Sequence, residues 1–480
     1  MEFKPLYYKD QLKIINPFGS AGIVTLWSKP ERISEEIKKF YPSLFSQSSP
    51  LTTITSLYGN GLPQMLVNLA YNPQINKIAI VGKDSKLVPS SRYFINFLEQ
   101  GISKENIGGV IMNRINGTSF YIDPQISPKN YSNLKFKQFS TNNLEGLVEF
   151  ITQESSININ ENDRIKINLS QPEFKDFPSD LTSHNIYAET ILEAWKEVMY
   201  HIDRFGKNVS LKKGDRRALI NLDVNIKNPV IDSDTDLQKF GFYPDKLKQY
   251  QEDILNSDLP KELTYTYGNR IRSHWGGDSL EKISKMFRED STQRHGLVSV
   301  WDTKQDLLEG NSSPCLTDIY FVQNPSDGKL MLTASFRTHN ATSAWANNIY
   351  GLRAIQEKVA RESNMEPGQI NIRSRWIGID PADPKIISLL KLIKSNRNIR
   401  LNINDPKGYY DLSVDKEKNE LVVQHYSPKG LVLEEFRGPN AESIKNQLRQ
   451  VDGFSNTDHA MWFGMELARV QKDLESKINL

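Results

Sequence analysis

Two short runs near the start of the chain, AGIVTLWS (residues 21–28) and KIAIVGKD (residues 77–84), are apolar at consecutive rather than alternate positions. A strand of that kind hides both of its faces, so it belongs inside a sheet that is covered on each side. Around these runs the periodicity changes. SEEIKKFYPSLF, GLPQMLVNLAYN and SSRYFINFLEQGI carry apolar residues at helical spacing, the last with serine caps and Gly101 just past its end. Strands alternating with helices favour an α/β domain on a largely parallel sheet. The loops after Ser28 and Gly82 stand where helix starts can hold an anion.

A chain of 480 residues outgrows one hydrophobic core and predicts several domains. The stretch 155–180, rich in Asn, Ser, Asp and Pro, reads as a boundary. Beyond it come a helix, AETILEAWKEVMYHI, and a basic turn, KKGDRRAL, that feeds an alternating strand. From about Asn404 a third region starts with a hairpin, YYDLSVD and LVVQHY around a charged turn, and closes with the helices AESIKNQLRQ and HAMWFGMELARVQKDLES. The expected division is 1–180, 181–400 and 401–480.

Composition narrows the function classes. Hydrophobic residues make up 38% and charged residues 25%, the balance of a soluble globular chain. A net charge of +2 gives no whole-molecule pull toward nucleic acid or membrane, so an anion site must be a local cluster of cations. One cysteine allows no disulfide within the chain, which fits a reducing compartment. The N-terminal segment predicts no signal peptide, and no run reaches the roughly 18 apolar residues of a membrane span. The expectation is a cytoplasmic protein. Zinc-type Cys/His spacing and a P-loop are both missing from the sequence, and no metal is expected.

The single cysteine, Cys315, is either a small buried residue or a nucleophile. TDIYFVQ and LMLTASF flank NPSDGK, a hairpin signature with Asp327-Gly328 as the turn. Such a hairpin returns Arg337 to the side of Cys315. A guanidinium there favours the thiolate, and it can also hold a phosphate bidentately.

The run from YGNRIRSHWGGDSLEKISKMF through PCLTDIYF and SFRTHN to NNIYGL resembles the thymidylate synthase superfamily, in its archaeal form, over about residues 189–398. The resemblance implies a three-layer sheet/helix domain and a chemistry that needs a thiolate. Pyrimidine C5 becomes nucleophilic only after a thiolate adds to C6, and Cys315 holds that place. Arg337 would activate the thiol and contact phosphate, with Thr338 adding a hydroxyl. Asn348 matches the base-reading amide, which favours uracil over cytosine. Tyr267 matches the tyrosine that helps remove the C5 proton. Arg216 aligns with a phosphate-binding arginine, unless it and Arg217 form a solvated turn. Arg294 and His295 take the place of an arginine pair that reaches across a symmetric homodimer into the neighbour's site.

The sequence also departs from that family. Asn340 stands where an aspartate anchors the pterin, so it is the candidate cofactor contact without the charge. The segment RSRWIGIDPAD lacks the His-x-Tyr pair that holds the sugar, with Trp376 and Gly378 nearest those places. Glu193 is the candidate for the water-orienting glutamate.

The first domain is similar, over about residues 16–124, to the corrinoid-binding subunit of tetrahydromethanopterin S-methyltransferase, which implies a Rossmann-like α/β fold. That family ligates its corrinoid through histidine, and all 7 histidines here lie beyond this domain, so no cobalamin is expected. The last part resembles an uncharacterised small α+β domain that accompanies archaeal-type synthases. His459 there reads as a cap or core residue.

The implied activity is C5 methylation of dUMP to dTMP. The donor would be 5,10-methylene-tetrahydrofolate or methylene-tetrahydromethanopterin, giving both carbon and hydride. Alternatives are a pyrimidine nucleotide 5-hydroxymethylase and an inactive nucleotide-binding scaffold.

Overall fold

The two consecutive-apolar runs become neighbouring parallel strands, Ala21–Val24 and Lys77–Val81, every residue of which is buried. The computed structural model describes residues 1–85, 89–107, 110–153, 159–170, 173–175, 177–179, 182–212, 214–230, 232–261, 263–309, 313–397, 405–455 and 457–478. Alternate side chains of the two strands enter different cores. Ile23, Ala79 and Val81 pack on one side, and Val24, Ile78 and Ile80 on the other.

The sheet runs Lys13–Ile14, Leu51–Thr55, Ala21–Val24, Lys77–Val81, Lys135–Phe139, parallel except for the first, antiparallel strand. Its order reverses between Ala21–Val24 and Lys77–Val81, because the chain adds one strand to the left of the first and later strands to its right. Helices Pro30–Phe40, Leu62–Tyr71 and Ser90–Glu99 lie where the periodicity puts them. The first stops before Pro42, which opens a short 3₁₀ turn, Pro42–Phe45, instead of continuing the helix. A small antiparallel sheet of Ile102–Ile107, Val110–Ile115 and Tyr121–Ile122 was not evident from the sequence.

The second large sheet runs Lys207–Leu211, Gly214–Ile226, Pro367–Ile379, Leu330–Phe336, Leu316–Gln323, Gly296–Ser299. His184–Ala188 pairs in parallel with Gly214–Ile226, and His339–Asn340 with Pro367–Ile379. Helices Ile191–Phe205 and Trp345–Glu362 bury their apolar faces in the core of this sheet, where Trp195 and Trp345 are fully enclosed.

The expected hairpin forms between Leu316–Gln323 and Leu330–Phe336, with Leu316 opposite Phe336. Gly328 turns it at φ 73°, a conformation glycine adopts without strain. The register slips between Leu316 and Asp318, and such a bulge re-aims the strand end that carries Cys315.

The chain divides into two compact units, Met1–Asn396 and Arg397–Leu480. Both large sheets belong to the first. The expected start of the third region near Asn404 lies outside the described residues, as do parts of the stretch 155–180. In the second unit the predicted hairpin, Tyr409–Asp415 and Glu420–Tyr426, gains a third strand, Val432–Gly438. Helices Ala441–Leu448 and Thr457–Ile478 follow. His459 lies at the start of the last helix, with Nδ1 3.0 Å from Asp405 Oδ2. Among the described residues no helix is long and apolar enough to cross a membrane.

Candidate active site

Cys315 is half-buried at the end of the hairpin, on the wall of a cavity of 1720 Å³. The returning strand delivers Arg337 as the turn signature predicts: its backbone N–H donates to Cys315 O at 2.9 Å. The guanidinium then folds over the preceding loop. Nε donates to Pro314 O at 2.9 Å, and Nη2 to Ser313 O and Oγ, each at 3.0 Å. Its Cζ lies 5.7 Å from the Trp301 ring centre. Burial pushes the Cys315 thiol above its ordinary pKa, and the positive charge of Arg337 opposes that shift without cancelling it.

Phenols surround the sulfur. Tyr267, the first residue of helix Tyr267–Arg272, accepts a hydrogen bond from Leu316 N at 3.4 Å, beside the cysteine. Thr266 caps that helix by accepting from Asn269 N, which fixes where Tyr267 leaves the chain. Tyr265 donates to Ser313 O at 3.3 Å, and burial pushes its pKa up to about 12. Burial drives Tyr267 well above the ordinary phenol value, and Tyr250 rises for the same reason. All of them are protonated at neutral pH, so they act as donors or proton relays.

Asn348 projects from the first turns of helix Trp345–Glu362 and is held at both ends. Its Oδ1 accepts from the Tyr250 hydroxyl, and its Nδ2 donates to His339 Nε2 at 2.9 Å. His339 is 2% exposed, stacked on Phe336 at 3.9 Å, and its Nδ1 lies 3.1 Å from Ser374 Oγ. Burial lowers its pKa to about 3, so the ring is neutral. An acceptor at Nε2 then requires the proton on Nδ1, donated to Ser374. One lone pair of Oδ1 and one proton of Nδ2 on Asn348 are left for a ligand.

Thr338, Trp376, Gly378 and Arg216 line the same cavity. A Cβ on Gly378 would lie 2.8 Å from Arg217 O and 3.0 Å from the Trp376 ring, so glycine is what allows the indole its position. Arg216 and Arg217 do not form a solvated turn. As neighbours on one strand they point to opposite faces. Arg217 is fully buried and donates to Ile202 O and Asp203 O at the end of helix Ile191–Phe205. Arg216 faces the cavity and pairs with Asp380 at 3.3 Å, whose own pKa burial raises against that partner.

The remaining candidates are differently placed. Asn340 lines the cavity, but its Oδ1 already accepts from Thr342 N at 2.9 Å and Ser343 N at 3.1 Å, a local turn that occupies the carbonyl. Arg294 and His295 are exposed beside strand Gly296–Ser299 and do not line it. His295 Nδ1 rests 3.3 Å from Gln293 Oε1. Glu193 receives a hydrogen bond from Glu189 N at the start of its helix and is likewise absent from the lining.

Tyr250, Tyr265, His339 and Ser374 were not identified from sequence. The partners of Asn348 come from separate elements, and no spacing announces them.

Residues 404–479 match the family described as PterinBD-DUF4346. A Methanothermobacter thermautotrophicus protein named "Putative thymidylate synthase" is 29% identical over 206 residues, 40% of this chain and 91% of that protein. One of the same name from Methanosarcina acetivorans is 30% identical over 192 residues, 38% of this chain and 84% of its own length. A protein of Pseudomonas phage M6 named deoxyuridylate hydroxymethyltransferase is 29% identical over 135 residues, 28% of this chain and 36% of that protein. The chain belongs to the thymidylate synthase-like family.

Proposed function

We propose that this chain transfers a one-carbon unit to C5 of a pyrimidine nucleotide monophosphate, methylating dUMP to dTMP. The observation that carries the reading is the placing of Cys315 on one cavity wall with Arg337 behind it, and an oriented amide, Asn348, on the same lining. On this reading the Cys315 sulfur adds to C6 and the ring electrons move to C5 as an enolate. Asn348 donates to O4 and accepts from N3–H. C5 then bonds to the methylene carbon of the donor as one of that carbon's two bonds to donor nitrogen opens. Loss of the C5 proton, through Tyr267 or a water held by it, expels the second nitrogen and leaves an exocyclic methylene on C5. Hydride from the reduced pterin completes the methyl group, and the sulfur departs from C6 as the double bond re-forms. Arg216 and Thr338 supply the phosphate contacts. Arg294 and His295, away from the cavity of their own chain, would serve a neighbouring copy in a homodimer.

The similarity to the phage hydroxymethyltransferase favours a second reading, in which water rather than hydride adds to the exocyclic methylene. The reduced-pterin donor draws support from the description of the family matched at 404–479.

Tritium release from dUMP labelled at C5 tests the reading, with methylene-tetrahydrofolate or methylene-tetrahydromethanopterin as donor. Release from dUMP exceeding that from dCMP and UMP is the expected result. No release with either donor rules the reading out, and product mass separates methyl from hydroxymethyl.

A further inference from the structure

The cavity is larger than one nucleotide requires. At 1720 Å³ it exceeds the ~300–1,000 Å³ of a pocket for a single small ligand. Its lining falls into two chemically different parts. The cations on it, Arg216, Lys239, Lys246 and Lys385, all follow residue 180. Among the described residues, the part drawn from residues 3–121 holds the carboxylates Asp10 and Glu31 and no Lys or Arg. A phosphate therefore belongs on the second sheet's side, and the first sheet's side suits an uncharged or weakly basic group.

That side is built to receive a ring. Trp27 is 51% exposed and rests against Tyr58, ring centres 5.1 Å apart, and both line the cavity. Trp27 is held where the loops after the parallel strands meet, its backbone N–H donating to Lys83 O at 3.0 Å. Leu26 before it has φ 52° and is fully buried, and Tyr8 on the same wall has φ 58°. Among the described residues, the other positive-φ residues besides glycine are Asn or Asp, which tolerate that conformation. Strained backbone at bulky residues persists where the surroundings over-determine it, a pattern that concentrates at ligand sites.

Gln64 adds a polar anchor. It stands in the first turn of helix Leu62–Tyr71, lines the cavity and is 2% exposed, yet its Oε1 has no hydrogen-bond partner among the described residues. A buried amide oxygen in that state is an acceptor awaiting a donor. Asn68, one turn further, is by contrast committed: Oδ1 accepts from Leu6 N and Tyr7 N.

We infer that Trp27, Tyr58 and Gln64 form a second ligand site, for a planar nitrogen heterocycle that carries an N–H. On the one-carbon reading above, on which this identification rests, its ligand is the pterin head of the donor. Trp27 gives the stacking face and Gln64 Oε1 accepts from the heterocycle.

The test uses the full-length chain and 6,7-dimethyltetrahydropterin, titrated anaerobically by calorimetry with and without dUMP. Trp27→Ala and Gln64→Leu should each weaken pterin binding roughly tenfold or more, the loss of one stacking face or one buried hydrogen bond, while dUMP affinity holds. Retained dUMP affinity also reports that both variants are folded. Unchanged pterin affinity in both variants, or no binding by the unsubstituted chain with or without dUMP, overturns the site. Turnover with an unaltered donor KM in Trp27→Ala would sink the site and leave the one-carbon reading standing. Pterin binding that depends on Trp27, without tritium release from dUMP, would do the reverse.

Discussion

The Asn348 amide nitrogen lies 2.9 Å from His339 Nε2, and this contact decides which way the amide faces. With the amide nitrogen at Nε2 of a neutral imidazole, the ring proton sits on Nδ1 toward Ser374 Oγ, and the amide oxygen accepts from the Tyr250 hydroxyl. On the proposed reading, the pattern that Asn348 presents to a base is thereby set by its contacts with His339 and Tyr250.

Replacing His339 by Leu removes that constraint while keeping the volume apolar. The amide can then rotate, and an inverted amide suits cytosine. Discrimination between dUMP and dCMP in kcat/KM should fall by about tenfold, the equivalent of one oriented hydrogen bond. Ser374→Ala should move the ratio in the same direction by less. Steady-state kinetics on both nucleotides checks it, and an unchanged ratio in His339→Leu would refute the positioning role.

The same histidine ties stability to pH. Burial holds its pKa at about 3, against 6.5 when exposed, so it is the unfolded chain that takes up the proton first as pH falls. Its neutral-state contribution is complete above about pH 7 and is lost through the window from 6.5 down to 3. At pH 5 the loss is about 2 kcal/mol. Urea unfolding of the unsubstituted chain and of His339→Gln, each at pH 7 and pH 5, should show that much less pH sensitivity in the variant. Equal sensitivity would contradict it.

For Cys315, burial and Arg337 act in opposite directions, with burial the larger. The free protein should hold a protonated thiol at neutral pH, and its alkylation by iodoacetamide should still be accelerating at pH 9. Arg337→Leu removes the opposing charge and should displace the profile to higher pH. A profile that is unmoved, or moved downward, would show that the guanidinium does not act on the sulfur.

Arg216 and Arg217 should separate cleanly on substitution. Arg217→Leu leaves the Asp203 carbonyl without its buried donor, while Ile202 O keeps Gly206 N, and should destabilise the fold by about 2 kcal/mol. Arg216→Leu should raise the KM for the nucleotide with a far smaller effect on stability. Denaturation curves and nucleotide KM values for both variants provide the check.

The pairing of Cys315 with Arg337 was legible because it is local: an Asp-Gly turn fixes a hairpin register, and the register brings one strand's end to the other's start. The parallel strands were legible because a run buried on both faces has no amphipathic alternative. His339, two positions past Arg337, was overlooked because a lone histidine gives no sign of whether it faces a core or a ligand. Its meaning comes from Ser374 and Asn348, which lie on other elements. Asn340, the counterpart of the pterin-anchoring aspartate by resemblance, lines the cavity, but no sequence signal marks the local turn that engages its carbonyl. The sequence marks the loop after Ser28 as a place for an anion, but not the contact of Trp27 with Tyr58 or the Gln64 oxygen, which come from separate elements.

The central claim is that Cys315 forms a bond to C6 of the nucleotide. The most direct test is incubation of the full-length chain with 5-fluoro-dUMP and a methylene-tetrahydropterin, followed by denaturation, digestion and mass mapping. The fluorine cannot leave C5 as a proton does, so the bonded state should accumulate. A nucleotide–pterin adduct is expected on the peptide that carries Cys315, absent from Cys315→Ser. An adduct that survives that substitution, or none with either the tetrahydrofolate or the tetrahydromethanopterin donor, would contradict it.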